Sequence, residues 1–243
     1  MKVACIIPVY NEALVLERSV RKVVEWGTGR FGPESFVLAI SDNGSTDGTV
    51  AIAKSLAVEF PRVVRVMSLP LSGRKGEAIK HAAAAIDDAE AYLMIDVDLS
   101  TDLESAGRLV DLVLSGVDLA VGSRRMPDSE VSRPLVRRFV TATYAFLADF
   151  ILGLGIRDLQ CGCKAFSRRV RDCILPAIED NGWFFDTEML TLTEAAHLNV
   201  IEVGVRWAEA SGFERASKVS VLKLAPKFLA KLWSLRRRRS TIC

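Results

Sequence analysis

Short apolar runs alternate with longer amphipathic stretches through the front half of the chain. Residues 3–8, 36–40, 63–67, 92–95 and 119–121 are apolar runs of strand length. Between the first two, residues 12–26 carry apolar side chains at 14, 16, 20, 23 and 24, close to helical period. Residues 49–60, 76–86 and 103–114 read as further helices. This repetition of strand and helix predicts an α/β domain with a mostly parallel sheet flanked by helices. The back half is less regular. A long apolar helix is predicted near 135–152, a turn near 158–163, a helix at 186–196, a strand at 200–205 and then a helical tail.

In an open parallel sheet, ligands bind beyond the carboxyl ends of the strands. The polar clusters fall there. They read "PVYNE" after the first strand, "SDNGSTDGT" after the second, "GRKGEA" past the third, "DVDLSTD" after the fourth and "GSRR" after the fifth. Five clusters on one rim predict a site. "GRKG", at 73–76, sets two cations between glycines before a helix, which suits a phosphate. The G-x-G-x-x-G pattern is absent after strand one, which argues against a dinucleotide. Asp42 stands at a strand end, where a carboxylate can accept hydrogen bonds from a base or ribose. Asp96 and Asp98 are hard oxygen ligands two residues apart. Mg²⁺ or Mn²⁺ is held by such a pair together with substrate phosphates and water. A third acid, Asp102, follows.

Charge divides the chain unevenly. From Arg215 to Cys243 there are nine basic residues and no acid, while the remaining 214 residues carry a net charge of −7. An acidic body with a basic tail suggests an anionic surface as partner. Within the tail, Phe228, Leu229, Leu232 and Trp233 are read as one face, with Lys227 and Lys231 on another. That pattern suits a membrane interface. The acidic body and the lack of interleaved aromatics argue against nucleic acid. The five cysteines, at 5, 161, 163, 173 and 243, lack C-x-x-C spacing and read as free thiols. The opening "MKVACIIPVYNE" is too short an apolar run for a signal peptide. Residues 139–156 are apolar over 18 positions but contain Asp149, so a helix on the core, on a second subunit or at a membrane surface is expected rather than a span. The only histidines, His81 and His197, read as structural.

The ordered series "IIPVYNE", "SDNGSTDGT", "GRKGEA", "DVDLSTD", "GSRR", "DLQCGCKAF" and "WFFDTEML" resembles the inverting family 2 glycosyltransferases of GT-A fold. Within them it is most similar to the polyprenyl- and dolichyl-phosphate sugar synthases. Asp158, Gln160, Cys161, Gly162 and Lys164, with Val205 and Trp207, resemble the dolichyl-phosphate glucosyltransferase branch. The resemblance implies a GT-A domain over 1–214, with a Rossmann-like sheet, and a basic amphipathic segment over 215–243 at a membrane surface. It implies that Pro8, Tyr10, Glu12 and Asp42 hold the nucleotide, and that Arg74 and Lys75 lie near the base or diphosphate. Asp96 and Asp98 match a metal-and-diphosphate motif for Mg²⁺ or Mn²⁺. Arg124, Arg137 and Thr141 match acceptor-phosphate positions, and Asp186 and Glu188 an acidic pair. Catalytic weight would fall on Lys75, Asp98, Arg124 and Asp186. Two positions depart from the pattern: Ser100 stands where the mannosyl branch has Gln, and Asn43 where the family has Asp.

The expected reaction is transfer of glucose from UDP-glucose to a polyprenyl phosphate by an enzyme peripheral to the cytoplasmic face of a membrane. GDP-mannose as donor, a hydroxyl acceptor with Asp186 or Glu188 as base, and a non-catalytic nucleotide-sugar-binding module are the alternatives.

Overall fold

The computed structural model describes residues 2–70, 74–132, 135–208 and 221–238, with the side chains of 135–143 and 221–229 outside that description. Among the described residues, seven strands form one sheet: β1 (Val3–Val9), β2 (Phe36–Asn43), β3 (Val64–Leu69), β4 (Ala91–Met94), β5 (Leu119–Ser123), β7 (Lys164–Ser167) and β8 (Val200–Gly204). Their order is β3-β2-β1-β4-β7-β5-β8. All neighbours pair in parallel except β7, which runs antiparallel to both β4 and β5. A small second sheet pairs β6 (Glu130–Ser132) with β9 (Arg206–Ala208).

Side chains on a strand alternate between faces. In β1, Val3, Cys5, Ile7 and Val9 pack on one side, and Ala4 and Ile6 on the other. The first side is covered by α1 (Leu16–Phe31), α2 (Thr49–Glu59) and α4 (Leu103–Leu114). The second is covered by α3 (Lys75–Ala85), α5 (Leu135–Leu152), α6 (Phe185–Ala195) and α7 (Val221–Arg238). Both faces of the sheet are thus buried, which explains why its strands read as continuous apolar runs.

The predicted strands and helices are present, with shifted ends. Strand β2 runs to Asn43, so Asp42 lies inside it. The first helix starts at Leu16 and ends at Phe31. Strand β7 was not predicted. Its four residues follow a tight turn and carry a lysine, so they lack the apolar run of a central strand. A π-turn over Val170–Ile174 and a 3₁₀ turn over Leu175–Ala177 were not predicted either.

The apolar helix α5 divides its faces. Ala145, Ala148, Ile151 and Leu152 are buried, whereas Phe146 and Phe150 are exposed. Helix α7 packs beside it. Leu232 and Leu235 enter the core while Trp233 stays exposed, which corrects the reading of Leu232 and Trp233 as one outward face. Adjacent helical residues point about 100° apart. The proposed boundary at 214/215, and the side chains of Lys227, Phe228 and Leu229, lie outside the described residues. Among the described residues, no helix is long and apolar enough to cross a membrane.

Candidate active site

Strand β4 stops at Met94 and the chain turns. Leu99 takes φ 51°, a left-handed backbone that side-chain-bearing residues seldom adopt. Its N–H donates to the Asp96 carbonyl at 3.1 Å, and the Ser100 N–H donates to Asp98 Oδ1 at 3.0 Å. Asp96 and Asp98 therefore stand on a turn past the strand rather than on a strand face. Asp102 has a separate task. It caps α4 by accepting the Ser105 N–H at 2.9 Å, and it pairs with Arg206 at 2.8 Å.

A cation answers Asp96. Lys75, the first residue of α3, places Nζ 3.1 Å from Asp96 Oδ1 and 3.6 Å from Asp186 Oδ2. Burial pulls the Lys75 pKa down, but Asp186 and Asp96 more than offset this and leave it raised. Partial burial raises the Asp96 pKa and Lys75 lowers it, with a net lowering. Asp186, at the start of α6, is only 2% exposed and also binds Lys164 Nζ at 2.6 Å. A row of alternating charges results: Asp96, Lys75, Asp186, Lys164. Helix α3 comes this close to α6 because residue 76 is glycine. A Cβ there would lie 2.6 Å from the Phe185 ring.

A second ion pair stands two strands away. Arg124 follows β5 and forks onto Asp158, Nε to Oδ2 at 2.7 Å and Nη2 to Oδ1 at 2.8 Å. Its backbone N–H reaches the same carboxylate at 3.0 Å. Burial raises the Asp158 pKa, and Arg124 brings it below the usual carboxylate range. Lys75 and Arg124 each have an indole beside them. Lys75 Nζ lies 5.9 Å from the Trp183 ring and the Arg124 guanidinium 5.8 Å from the Trp207 ring.

The nucleotide candidates gather at the ends of β1 and β2, where Val9 pairs with Asp42. Asp42 is buried and accepts the N–H groups of Gly44 and Ser45 at 3.2 and 3.3 Å. Pro8 lies in β1 beside Ser41, and Tyr10 and Glu12 follow that strand. The Glu12 N–H donates to Thr49 Oγ1 at 2.8 Å. Arg74 precedes α3, is half-exposed and pairs with Glu77 at 3.6 Å. The side chains of Arg137 and Thr141, on α5, lie outside the described residues. Glu188 does not join Asp186. It is buried, accepts the N–H groups of Glu179 and Asp180 at 3.0 and 2.8 Å, and pairs with Arg238 of α7.

Sequence reading assigned no role to Asp158, Gly162, Lys164 or Trp207, although all four stand in its motifs. Their blocks of sequence were visible, but nothing in the spacing said which charge each residue would meet. Asn43, also given no role, is buried beside Asp42, and its Oδ1 has no hydrogen-bond partner among the described residues. Cys5, Cys161 and Cys163 are buried and form no disulfide, and burial pushes all three thiols up.

A mostly parallel sheet with carboxylates and cations on its C-terminal rim is the frame of a GT-A glycosyltransferase. The same fold occurs in glucosyl-3-phosphoglycerate synthase of Mycobacterium tuberculosis, solved with Mn²⁺, UDP and glucosyl-3-phosphoglycerate. That match has a TM-score of 0.67 at 20% identity, over 100% of this chain and 81% of that one. The glycosyl transferase family 2 model matches residues 4–175, and the chain belongs to that family. It is 36% identical to the glycosyltransferase AglD of Haloferax volcanii over 97% of its own length, but spans only 38% of AglD. It is 32% identical to polyprenol monophosphomannose synthase of Mycolicibacterium smegmatis, over 84% of this chain and 76% of that one. It is 26% identical to dolichyl-phosphate beta-glucosyltransferase of Dictyostelium discoideum, over 95% and 76%. The chain is accordingly a family 2 glycosyltransferase.

Proposed function

We propose that this glycosyltransferase moves a hexose from a nucleotide sugar, UDP-glucose, to a polyprenyl or dolichyl phosphate with inversion at the anomeric carbon. The observation carrying the acceptor class is the placement of the acids. A hydroxyl acceptor needs a general base, and the two candidates are both committed. Asp186 lies between two ammonium groups, and Glu188 is held by two backbone N–H groups and Arg238. Both histidines are exposed. A phosphate acceptor is already anionic near neutral pH and needs no base.

Asp96 and Asp98 fit a divalent metal. Both are hard oxygen donors on one turn, and the Asp96 side chain keeps 48% of its surface exposed despite its ion pair. No group of three or more acidic, His or Cys ligands occurs among the described residues. Diphosphate oxygens and water would complete the shell. Bound there, Mg²⁺ or Mn²⁺ would supply positive charge to the leaving diphosphate. Lys75 adds to that charge from the protein side, with Arg74 at the entrance. Arg124, fixed by Asp158, presents its guanidinium toward the acceptor phosphate, with Arg137 and Thr141 as its partners in that task. Fixed charges of this kind act by position and electrostatics, and losing one costs on the order of 3 kcal/mol. Pro8, Tyr10, Glu12 and Asp42 hold the nucleotide.

The proposed location is the cytoplasmic face of an anionic membrane, and the α5–α7 face supports the membrane surface. Phe146, Phe150 and Trp233 are exposed on these helices, the Arg236 guanidinium lies 5.7 Å from the Trp233 ring, and Arg237 is exposed on the same helix. Aromatic groups rimmed by cations suit the headgroup layer, where each basic residue contributes about 1 kcal/mol.

The test is sugar transfer from labelled UDP-glucose to a polyprenyl phosphate in detergent, with Mg²⁺ or Mn²⁺, beside Asp98→Asn. A metal-dependent lipid product, lost in the variant, is expected. Product only with GDP-mannose would replace the donor. Transfer to an unphosphorylated polyprenol would overturn the acceptor class. UDP binding without any turnover would leave a binding module.

A further inference from the structure

Lys164 is the first residue of β7, a central strand, and its side chain is 0% exposed. A buried ammonium costs several kcal/mol in solvation, and an apolar residue of similar size would fill the position at no such cost. Its three N–H donors meet three acceptors: Asp186 Oδ1 at 2.6 Å, the Cys161 carbonyl at 2.6 Å and the Leu159 carbonyl at 3.3 Å. The ammonium is saturated and sealed, so it has no reach to a substrate.

What it holds is the turn from Asp158 to Gly162. Asp158, at one end, forks Arg124. Gly162, at the other, supports Asp96, since a Cβ on residue 162 would fall 1.8 Å from Asp96 Oδ2. No side chain larger than hydrogen leaves the Asp96 carboxylate in place. Through Asp186, the same ammonium faces Lys75. Arg124, Asp96 and Lys75 come from three separate elements, and each is one contact removed from Lys164 or from the turn it ties.

We propose that Lys164 is a positioning residue for sugar transfer, fixing Arg124, Asp96 and Lys75 relative to one another by tying the 158–162 turn to Asp186 without touching either substrate. The proposal rests on the transferase reading above. It carries a consequence of opposite sign for metal and for turnover. With Lys164 neutral, Asp186 keeps only Lys75, and Lys75 shifts from Asp96 toward Asp186. Asp96 is then freed for a cation in a site one unit more negative.

The experiment compares wild type, Lys164→Met and Lys164→Met/Asp186→Asn. Mn²⁺ binding is measured without nucleotide by the electron paramagnetic resonance of free Mn²⁺, and transfer by kcat and KM. Lys164→Met is expected to bind Mn²⁺ roughly three- to tenfold more tightly while kcat falls about a hundredfold. The double variant removes both buried charges, a change that buried pairs tolerate in fold. It is expected to lose the tighter Mn²⁺ binding and keep the hundredfold loss of kcat, because the 158–162 turn still lacks its tie and Lys75 now lacks the Asp186 carboxylate. Turnover within threefold of wild type in either variant overturns the proposal. So does Mn²⁺ affinity that falls together with kcat in Lys164→Met, which is the mark of a damaged fold. If neither variant folds, Lys164 is a folding residue and the proposal fails. A wild-type protein that binds Mn²⁺ but transfers no sugar refutes the transferase reading instead, and the Mn²⁺ comparison still decides the role of Lys164.

Discussion

Asp42 and Asp47 lie in the half of the rim built by β1 and β2. Asp96, Asp158 and Asp186 lie in the half built by β4, β7 and β5. In the first half the partners are backbone N–H groups and a hydroxyl. Asp42 accepts N–H groups two and three residues on. Asp47, whose pKa burial raises, is brought below the usual range by the Thr49 hydroxyl and nearby N–H groups. In the second half the partners are cations from distant parts of the chain. Asp96 meets Lys75, Asp158 meets Arg124 and Asp186 meets both Lys75 and Lys164. On the proposed function, backbone amides shape a loop that receives a neutral base or sugar edge. Side-chain cations leave a region of balanced charge, which an incoming diphosphate or phosphate can repartition.

The contrast makes unequal demands on substitution. Lys75→Met strikes the second half where, on the proposed function, it faces the donor. The expected result is a fall in kcat of about a hundredfold or more, with the melting temperature little changed, read by steady-state transfer and calorimetry. Asp158→Asn strands Arg124 in a buried position. Breaking a buried pair costs about 3–5 kcal/mol, so a loss on the order of 10 °C in Tm is expected, together with weaker acceptor binding. In the first half, Asp42→Asn can keep one of its backbone hydrogen bonds. It is expected to cost about 1 kcal/mol of stability and to raise the donor KM roughly tenfold at nearly constant kcat. A kcat loss as large as that of Lys75→Met would erase the distinction between the halves.

The smallest effect is in pH. Asp96 and Asp158 have folded pKa values below the unfolded value of about 3.9. Their contribution to stability is fully present above that value and is lost as pH falls through the folded pKa. The stability gap between wild type and Asp158→Asn should therefore be constant from pH 7 to 5 and narrow only below about pH 4. Urea unfolding at each pH reads it. A gap that closes near pH 6 would mean that Asp158 is not the titrating group.

Legibility in the sequence follows the same division. Strands β1 to β5 and helices α1 to α4 are each signalled within a dozen residues, by an apolar run, a helical period or a turn. The polar clusters at their ends could be set on one rim before any coordinates. Strand β7 gave no such signal, because its lysine is neutralised by a carboxylate 22 residues away. The Arg124 fork depends on a partner 34 residues on, and the split between Asp186 and Glu188 depends on Arg238. The motif blocks named Asp158, Lys164 and Trp207. Their spacing alone contained no statement of which charge each would meet. Leu232 was misplaced for a related reason, since an amphipathic pattern marks a face without marking what lies against it.

The antiparallel strand also works as a ruler. Neighbouring strands stand about 4.8 Å apart, so inserting β7 sets β4 and β5 about 10 Å from each other. The turn of Asp96 follows one and Arg124 follows the other. In the proposed reaction, this width separates the place where the leaving group departs from the place where the attacking group waits. Direction matters as much as width. A parallel strand here would bring its last residue, Ser167, to the rim. Because β7 runs the other way, it brings its first, and a lysine arrives where every neighbour ends.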